Sequence, residues 1–322
     1  MLRDYLKLVR LPNLIVMALV QILLYECVLK SILLLYNQVP ALSPIDLIYL
    51  ILSTVFIAAG GYLVNDYFDM KIDEINKPIT RIVGKTILRK DVMFLYKIVT
   101  GIGLVAGFIL SYRVRSITCA TYFVFIVGLL WFFSSSYKRM LVVGNAICAL
   151  TMALVPFFIA LFNNQMLDVR YNPTPELFFL KNEVYTYLGA FSIYTFLWMF
   201  VIDIVQDLVT HRGDREMECH TFPVVIGERN TKILIGGVVI LLNVAIAYFL
   251  YSDDFLNEHI ATWRYFVCGS AIPSASIFYF LFKSKTIPDY ILLKRYVTVI
   301  FLIGFAFSFW IKYVVQNIIS NG

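Results

Sequence analysis

Long apolar stretches separated by short polar ones run the length of this chain. Nine of them reach the ~17–25 residues that a helix needs to cross a bilayer. They lie at roughly 12–35, 45–65, 92–111, 116–134, 141–162, 185–206, 232–251, 262–282 and 292–316. Runs of this length satisfy every backbone polar group internally only as helices. The pattern therefore predicts an all-α, polytopic membrane protein: about nine transmembrane helices in one bundle, with residues 1–322 as a single membrane-embedded domain. Ahead of the first span, Leu2, Leu6 and Leu8 alternate with Arg3, Lys7 and Arg10, the mark of an amphipathic segment lying at the headgroup level. Pro12 suits the first turn of a helix. Gly60-Gly61 in the second span suits close helix packing. Two polar connections are long, the one after the second span and the one at about 208–231; the one near 135–140 is short and holds Tyr137, Lys138 and Arg139.

Composition agrees. Hydrophobic residues make up 60% of the chain and the mean hydropathy is +0.80, against about 45–50% apolar in soluble domains. Cys27, Cys119, Cys148, Cys219 and Cys268 form no C-x-x-C pair, and four of them sit in apolar segments, so they read as small core residues. The three histidines lack H-E-x-x-H spacing, and no small-residue cleavage site follows the first apolar segment. Charge adds orientation. With nine spans, 20 of the 27 lysines and arginines fall on the side of the N-terminus. By the positive-inside rule that side is cytoplasmic, which places the chain in the cell (inner) membrane.

Two acidic clusters fall on that same side. The first is Asn65-Asp66-Tyr67-Phe68-Asp69-Met70-Lys71-Ile72-Asp73; the second is Asp203-Ile204-Val205-Gln206-Asp207, with His211 and Asp214 beyond it. At about 100° per residue, Asn65, Asp69 and Asp73 share one helix face with Asp66 beside them, and Asp203 and Asp207 share another. Carboxylates are costly at a bilayer and mark function there. Two such faces meeting at the membrane surface suit a hard divalent cation, and through it a diphosphate. Asn65, Asp69, Asp203 and Asp207 are the candidate ligands of Mg²⁺; Asp66, Asp69, Asp73, Asp203 and Asp207 are the candidate catalytic set. Lys77, Arg81, Lys138, Arg139 and Arg215 are candidates to hold the remaining phosphate oxygens. Loss of diphosphate from a prenyl donor leaves an allylic cation, which an apolar, aromatic pocket shelters from water. Membrane lipids are expected around the bundle, and nucleic acid is not expected as a partner.

The acidic segments carry a resemblance. Asn65-Asp66-x-x-Asp69-x-x-x-Asp73 resembles the first signature of the UbiA superfamily of intramembrane prenyltransferases, and Asn76-Lys77-Pro78-x-x-Arg81 continues it. Tyr137-Lys138-Arg139 with Gly144-Asn145 resembles the element between the fourth and fifth spans, and Asp203-x-x-x-Asp207 the second acidic signature. The resemblance implies magnesium, a prenyl diphosphate donor, a lipophilic acceptor and a site opening sideways into the bilayer. Gly213-Asp214-Arg215-Glu216, then Thr221-Phe222-Pro223 and Gly227, resembles the branch that alkylates geranylgeranylglyceryl phosphate. That branch usually reads R-E-x-x-K-D-x-x-D-x-x-G-D-R. Here Ile202, Asp203, Gln206, Asp207 and Thr210 occupy the varying positions; Asp203 keeps a charge, while Gln206 and Thr210 remove one each. The acceptor stays open on these residues, between a geranylgeranylglyceryl phosphate and an aromatic acid such as 4-hydroxybenzoate or a naphthoate. A transporter using intramembrane acids as ion sites is the alternative of another class. A CDP-alcohol phosphotransferase is set aside because D-G-x-x-A-R is absent.

Overall fold

A computed structural model describes residues 2–321 except 77, 79 and 80. Among the described residues, nine helices are long and apolar enough to cross a membrane. In order they are Leu11–Leu35, Pro44–Phe68, Arg89–Val114, Ile117–Ser135, Val143–Arg170, Pro175–Glu216, Gly227–Ser252, Ile260–Lys283 and Ile287–Ser320. Each predicted span has its helix. The protein is an integral membrane protein.

Local chemistry sets several of the starts. The second span opens on a capping box: Ser43 Oγ accepts from the Asp46 amide at 3.3 Å and the Asp46 side chain accepts from the Ser43 amide at 3.2 Å, with Pro44 in the first turn. Thr174 caps the sixth span by accepting from the Leu177 amide at 3.2 Å, ahead of Pro175. Thr286 and Asp289 form the same box at the ninth. The amphipathic segment forms a short helix, Leu2–Leu8, with Leu8 buried. Glu26 and Lys30 pair at 2.7 and 2.8 Å as their spacing suggests, beside a widened π turn at Tyr25–Leu29.

The second span packs closely on the third, and the fifth on the sixth. Glycine makes the first of these pairs possible. A Cβ on Gly103 would stand 3.0 Å from the Ile57 amide nitrogen and 3.1 Å from the Ser53 carbonyl oxygen, so backbone lies against backbone. Large apolar side chains remain exposed along the outward faces, among them Ile102, Val105, Phe108, Ile240, Leu241 and Val244. In water such a surface would aggregate; here it is the surface presented to lipid. The interior holds Trp198, Tyr25, Phe123 and Phe162.

Two connections depart from the expected loops. The segment after the second span folds into a helix, Met70–Asn76, after a single turn at Asp69. The sixth helix does not stop near residue 206 but runs 42 residues to Glu216. Hydropathy marked where the apolar run ends. The helix itself continues because Thr210, His211, Arg212, Asp214, Arg215 and Glu216 do not break it, and Arg212 pairs with Glu216 one turn on.

Candidate active site

Both acidic clusters lie at one end of the bundle, with the connector between the fourth and fifth spans close to both. The first begins in the last turn of the second span. The Asp69 amide donates to the Asn65 carbonyl at 2.9 Å and the Asp73 amide to the Asp69 carbonyl at 2.8 Å, so the helical repeat passes through the turn and keeps the shared face. Asn65 Nδ2 donates to Asp69 Oδ2 at 2.8 Å. Lys138 then reaches in from a single turn of 3₁₀ helix, Tyr137–Arg139. Its ammonium donates to Asn65 Oδ1 at 3.1 Å and to Asp69 Oδ2. Burial works against the Lys138 charge, but the neighbouring Asp69 carboxylate, with a lesser contribution from Asp203, more than offsets this and raises its pKa above the ordinary lysine value. Lys138 thus stands within electrostatic reach of both clusters.

The connector is shaped to put it there. Gly144 has no room for a Cβ, which would sit 3.1 Å from Lys138 Cα and from the Tyr137 and Lys138 carbonyl oxygens. Val142, a β-branched residue, is held at φ 65°, ψ −48°, a conformation such residues avoid. The chain turns sharply there and delivers Asn145 to the second cluster. Asn145 Nδ2 donates to Asp203 Oδ2 and to Asp207 Oδ2, each at 2.9 Å. One buried amide therefore holds both carboxylates of the sixth span on one face.

Further contacts fix the surroundings. Arg10 Nη2 meets Asp66 Oδ1 at 3.2 Å. Burial opposes the Arg10 charge, and Asp66 and Tyr62 together reverse that and raise its pKa. Asn76 Oδ1 accepts from the Gly213 amide at 3.1 Å, joining the first acidic segment to the sixth helix. Asp214 is buried and accepts from Thr210 at 3.0 Å and Thr221 at 3.4 Å, which anchors the turn after that helix. Lys294, from the ninth span, donates to Gln206 Oε1 at 2.7 Å.

A family model described as the UbiA prenyltransferase family matches residues 27–289. The chain belongs to the UbiA prenyltransferase family. As a member of it, the protein is a prenyltransferase. Several digeranylgeranylglyceryl phosphate synthases are similar to this UbiA protein. That of Sulfolobus acidocaldarius is 28% identical over 60% of this chain, which spans 63% of that relative, a little under two thirds of its length. That of Pyrococcus horikoshii is 25% identical over 65% of this chain and 69% of its own. That of Methanobrevibacter smithii is 23% identical over 80% of each. Solved structures share the fold. One, of a digeranylgeranylglyceryl phosphate synthase in membranes, has a TM-score of 0.63 at 19% identity and covers 98% of this chain and 99% of that one. Another, a UbiA homologue from Archaeoglobus fulgidus bound to DMAPP and Mg²⁺, has a TM-score of 0.60 at 13% identity, covering 96% and 99%.

Within this UbiA protein the expected site residues fall into three groups. Asn65, Asp69, Lys138, Asp203 and Asp207 come together as described. Asp66 and Asp73 flank them, Asp66 held by Arg10. Arg81 is drawn to Glu74, and Arg139 and Arg215 are exposed; the Arg139 carbonyl accepts from the His220 amide at 2.9 Å. Lys77 lies outside the described residues. Sequence reasoning missed Asn145 as a bridge, Asn76 as a link to Gly213, and Lys294. Asn145 had a signal, since it follows a glycine in the family-like connector. Lys294 had a weaker one, a lysine inside an apolar span.

Proposed function

We propose that this prenyltransferase moves an isoprenyl group from a prenyl diphosphate to a phosphorylated lipid alcohol, geranylgeranylglyceryl phosphate, in ether-lipid synthesis, with Mg²⁺ as cofactor. The carrying observation is that Lys138 stands between the Asn65–Asp69 pair and the Asp203–Asp207 pair. The acceptor rests on the names of the relatives and on Gly213-Asp214-Arg215. Among the described residues no three His, Cys, Asp or Glu side chains form a cage by themselves. Magnesium does not require one, since it takes one or two carboxylates and completes its shell with water and substrate phosphate. An all-oxygen set of Asn65, Asp69, Asp203 and Asp207 fits that habit. When bound, the ion would neutralise the diphosphate and make it a better leaving group.

The protein's own residues then have distinct tasks. Asn145 keeps Asp203 and Asp207 side by side. Lys138 exchanges its carboxylate partner for phosphate oxygen as the donor enters. An apolar cavity of about 470 Å³ lies between the sixth, seventh, eighth and ninth spans, lined by Tyr194, Leu197, Leu242 and Phe266 among others. Leu197 is six residues before Asp203, about 9 Å along the helix, so the cavity suits an isoprenoid tail whose head reaches the acids. Placement of the acids at one end of the bundle suits surface phosphate chemistry and not ion passage through the midplane. We place that end at the cytoplasmic face of the cell membrane, and the whole chain in one domain.

The test is an assay of purified protein with Mg²⁺ and labelled geranylgeranyl diphosphate, offered geranylgeranylglyceryl phosphate and 4-hydroxybenzoate in parallel. Product from the glyceryl phosphate alone, lost with EDTA and restored by Mg²⁺, is expected. Product from the aromatic acid alone would overturn the acceptor assignment, and activity indifferent to EDTA would overturn the metal.

A further inference from the structure

We propose that Gly189 and Tyr185 set the length of prenyl donor that the enzyme accepts: Gly189 leaves the room that a fourth isoprene unit needs, and Tyr185 closes the space that a fifth would need. The proposal rests on the prenyl-transfer reading above, with the donor tail in the cavity between the sixth, seventh, eighth and ninth spans. On the sixth helix the lining of that cavity runs from Leu197 back to Tyr185, a length of about 18 Å. Its outer part lies in line with the acids. Gly189 is 18 residues before Asp207, and Tyr185 is 18 before Asp203. At about 100° per residue that separation is a whole number of turns, so each lining residue stands on the same face of the helix as its carboxylate.

The glycines that line the cavity are not alike. At Gly304 a Cβ would run into the Tyr194 hydroxyl, and at Gly269 it would stand 3.3 Å from the Tyr265 ring. At Gly189 it would meet nothing within 4 Å. No neighbour requires glycine there, and within a helix glycine costs about 1 kcal/mol against alanine. Its effect is room in the cavity. Tyr185 does the opposite. Its ring is stacked on Phe157 of the fifth span, with centroids 5.8 Å apart and planes at 26°, so it forms a fixed floor at the outer end.

Lengths decide which isoprene units these residues meet. Measured along the helix from Asp203, Leu197 is about 9 Å away, Gly189 about 21 Å and Tyr185 about 27 Å. An extended chain advances about 1.2 Å per bond, so tails of three, four and five isoprene units, at four main-chain bonds each, reach about 14, 19 and 24 Å. Leaving about 3 Å between the carboxylate and the oxygen that carries the tail puts their ends at about 17, 22 and 27 Å. A farnesyl tail stops short of Gly189, a geranylgeranyl tail passes it, and a geranylfarnesyl tail runs into Tyr185.

The experiment measures kcat/KM of the purified full chain for geranyl, farnesyl, geranylgeranyl and geranylfarnesyl diphosphates. The acceptor is geranylgeranylglyceryl phosphate, replaced by 4-hydroxybenzoate if only that is used. The wild type should prefer the geranylgeranyl donor. Gly189→Phe should lower the ratio of geranylgeranyl to farnesyl use at least about 10-fold, the scale on which an apolar pocket discriminates by size. The ratio of geranyl to farnesyl use should stay within about twofold, since neither tail reaches the new ring. Tyr185→Ala should raise geranylfarnesyl use relative to geranylgeranyl by a similar factor. That variant removes atoms from the cavity, so it carries the test if Gly189→Phe does not fold. An equal fall for every donor in Gly189→Phe, or unchanged ratios in both variants, would overturn this assignment while leaving the prenyl-transfer reading intact. A wild-type protein that turns over none of the four donors with either acceptor would overturn both.

Discussion

The Asn76 side-chain oxygen accepts a hydrogen bond from the Gly213 amide at 3.1 Å, and this bond ties the first acidic segment to the helix that carries the second. Glycine leaves room for this contact, because a Cβ at 213 would lie 2.5 Å from Asn76 Nδ2 and the Asn76 side chain would have to shift. Gly213→Ala should push the amide away and let the Met70–Asn76 helix drift from the sixth helix. The stability loss should be small, about 1 kcal/mol for one hydrogen bond, while turnover falls much further. Thermal unfolding in detergent and kcat, measured on the same preparation, check this; wild-type turnover in Gly213→Ala would remove the link from the site.

Asp69→Ala and Asp207→Ala should each lower kcat by about 10²-fold or more, the scale of losing one preorganised electrostatic group, with membrane insertion retained. Asn145→Ala should act through the carboxylates and lose less, since both remain present but no longer share a donor. Full activity in Asp69→Ala or Asp207→Ala would withdraw that residue from the metal set.

Lys138→Ala should raise the donor KM by roughly 10-fold or more, as expected for a lost ammonium–phosphate contact. The pH dependence has a definite sign. The folded pKa of Lys138 lies above its unfolded value because of Asp69. Its contribution is therefore complete below about pH 10.4 and is lost only as pH rises through the higher folded value. Donor KM in the wild type should then show no lysine titration between about pH 7 and 9. A rise in donor KM across that interval that is absent from Lys138→Ala would contradict the assignment.

Gly103→Val should destabilise the protein without touching the site. The added atoms meet the backbone of Ser53 and Ile57, which cannot swing aside as a side chain can. Overpacking of this kind costs about 1–3 kcal/mol. A lowered midpoint of thermal unfolding in detergent is the readout, and an unchanged midpoint would mean that the second and third spans are free to separate.

Much of this was legible before any coordinates. A span announces itself because lipid demands a long apolar helix, and Ser43–Asp46 or Thr286–Asp289 mark where one begins. Asp203 and Asp207 could be placed on one face because helical geometry is local. What stayed hidden depends on packing between distant segments. Asn145 reaches acids 58 and 62 residues away, and Asn76 reaches Gly213 across 137. A lone neutral amide has no periodicity and little charge signal, so nothing in the sequence says which neighbour it will find. The end of the sixth helix was misread for a different reason. Polarity reports the membrane boundary, whereas the helix ends only where its backbone bonds stop.

That helix, Pro175–Glu216, has a consequence for how the enzyme tolerates change. At 42 residues it is about 63 Å long, and the cavity-lining Leu197 and the carboxylate of Asp203 share it without a hinge. On the reading proposed above, tail and head of a substrate would be read against a single rigid screw. One residue inserted between Leu197 and Asp203 would turn both carboxylates by about 100° and point them away from Asn145. Four inserted residues would nearly restore the angle and only lengthen the reach. On that reading, a change of chain-length preference that keeps the acids in place would come by whole turns of the screw, or by changes of side-chain size that leave its phase alone.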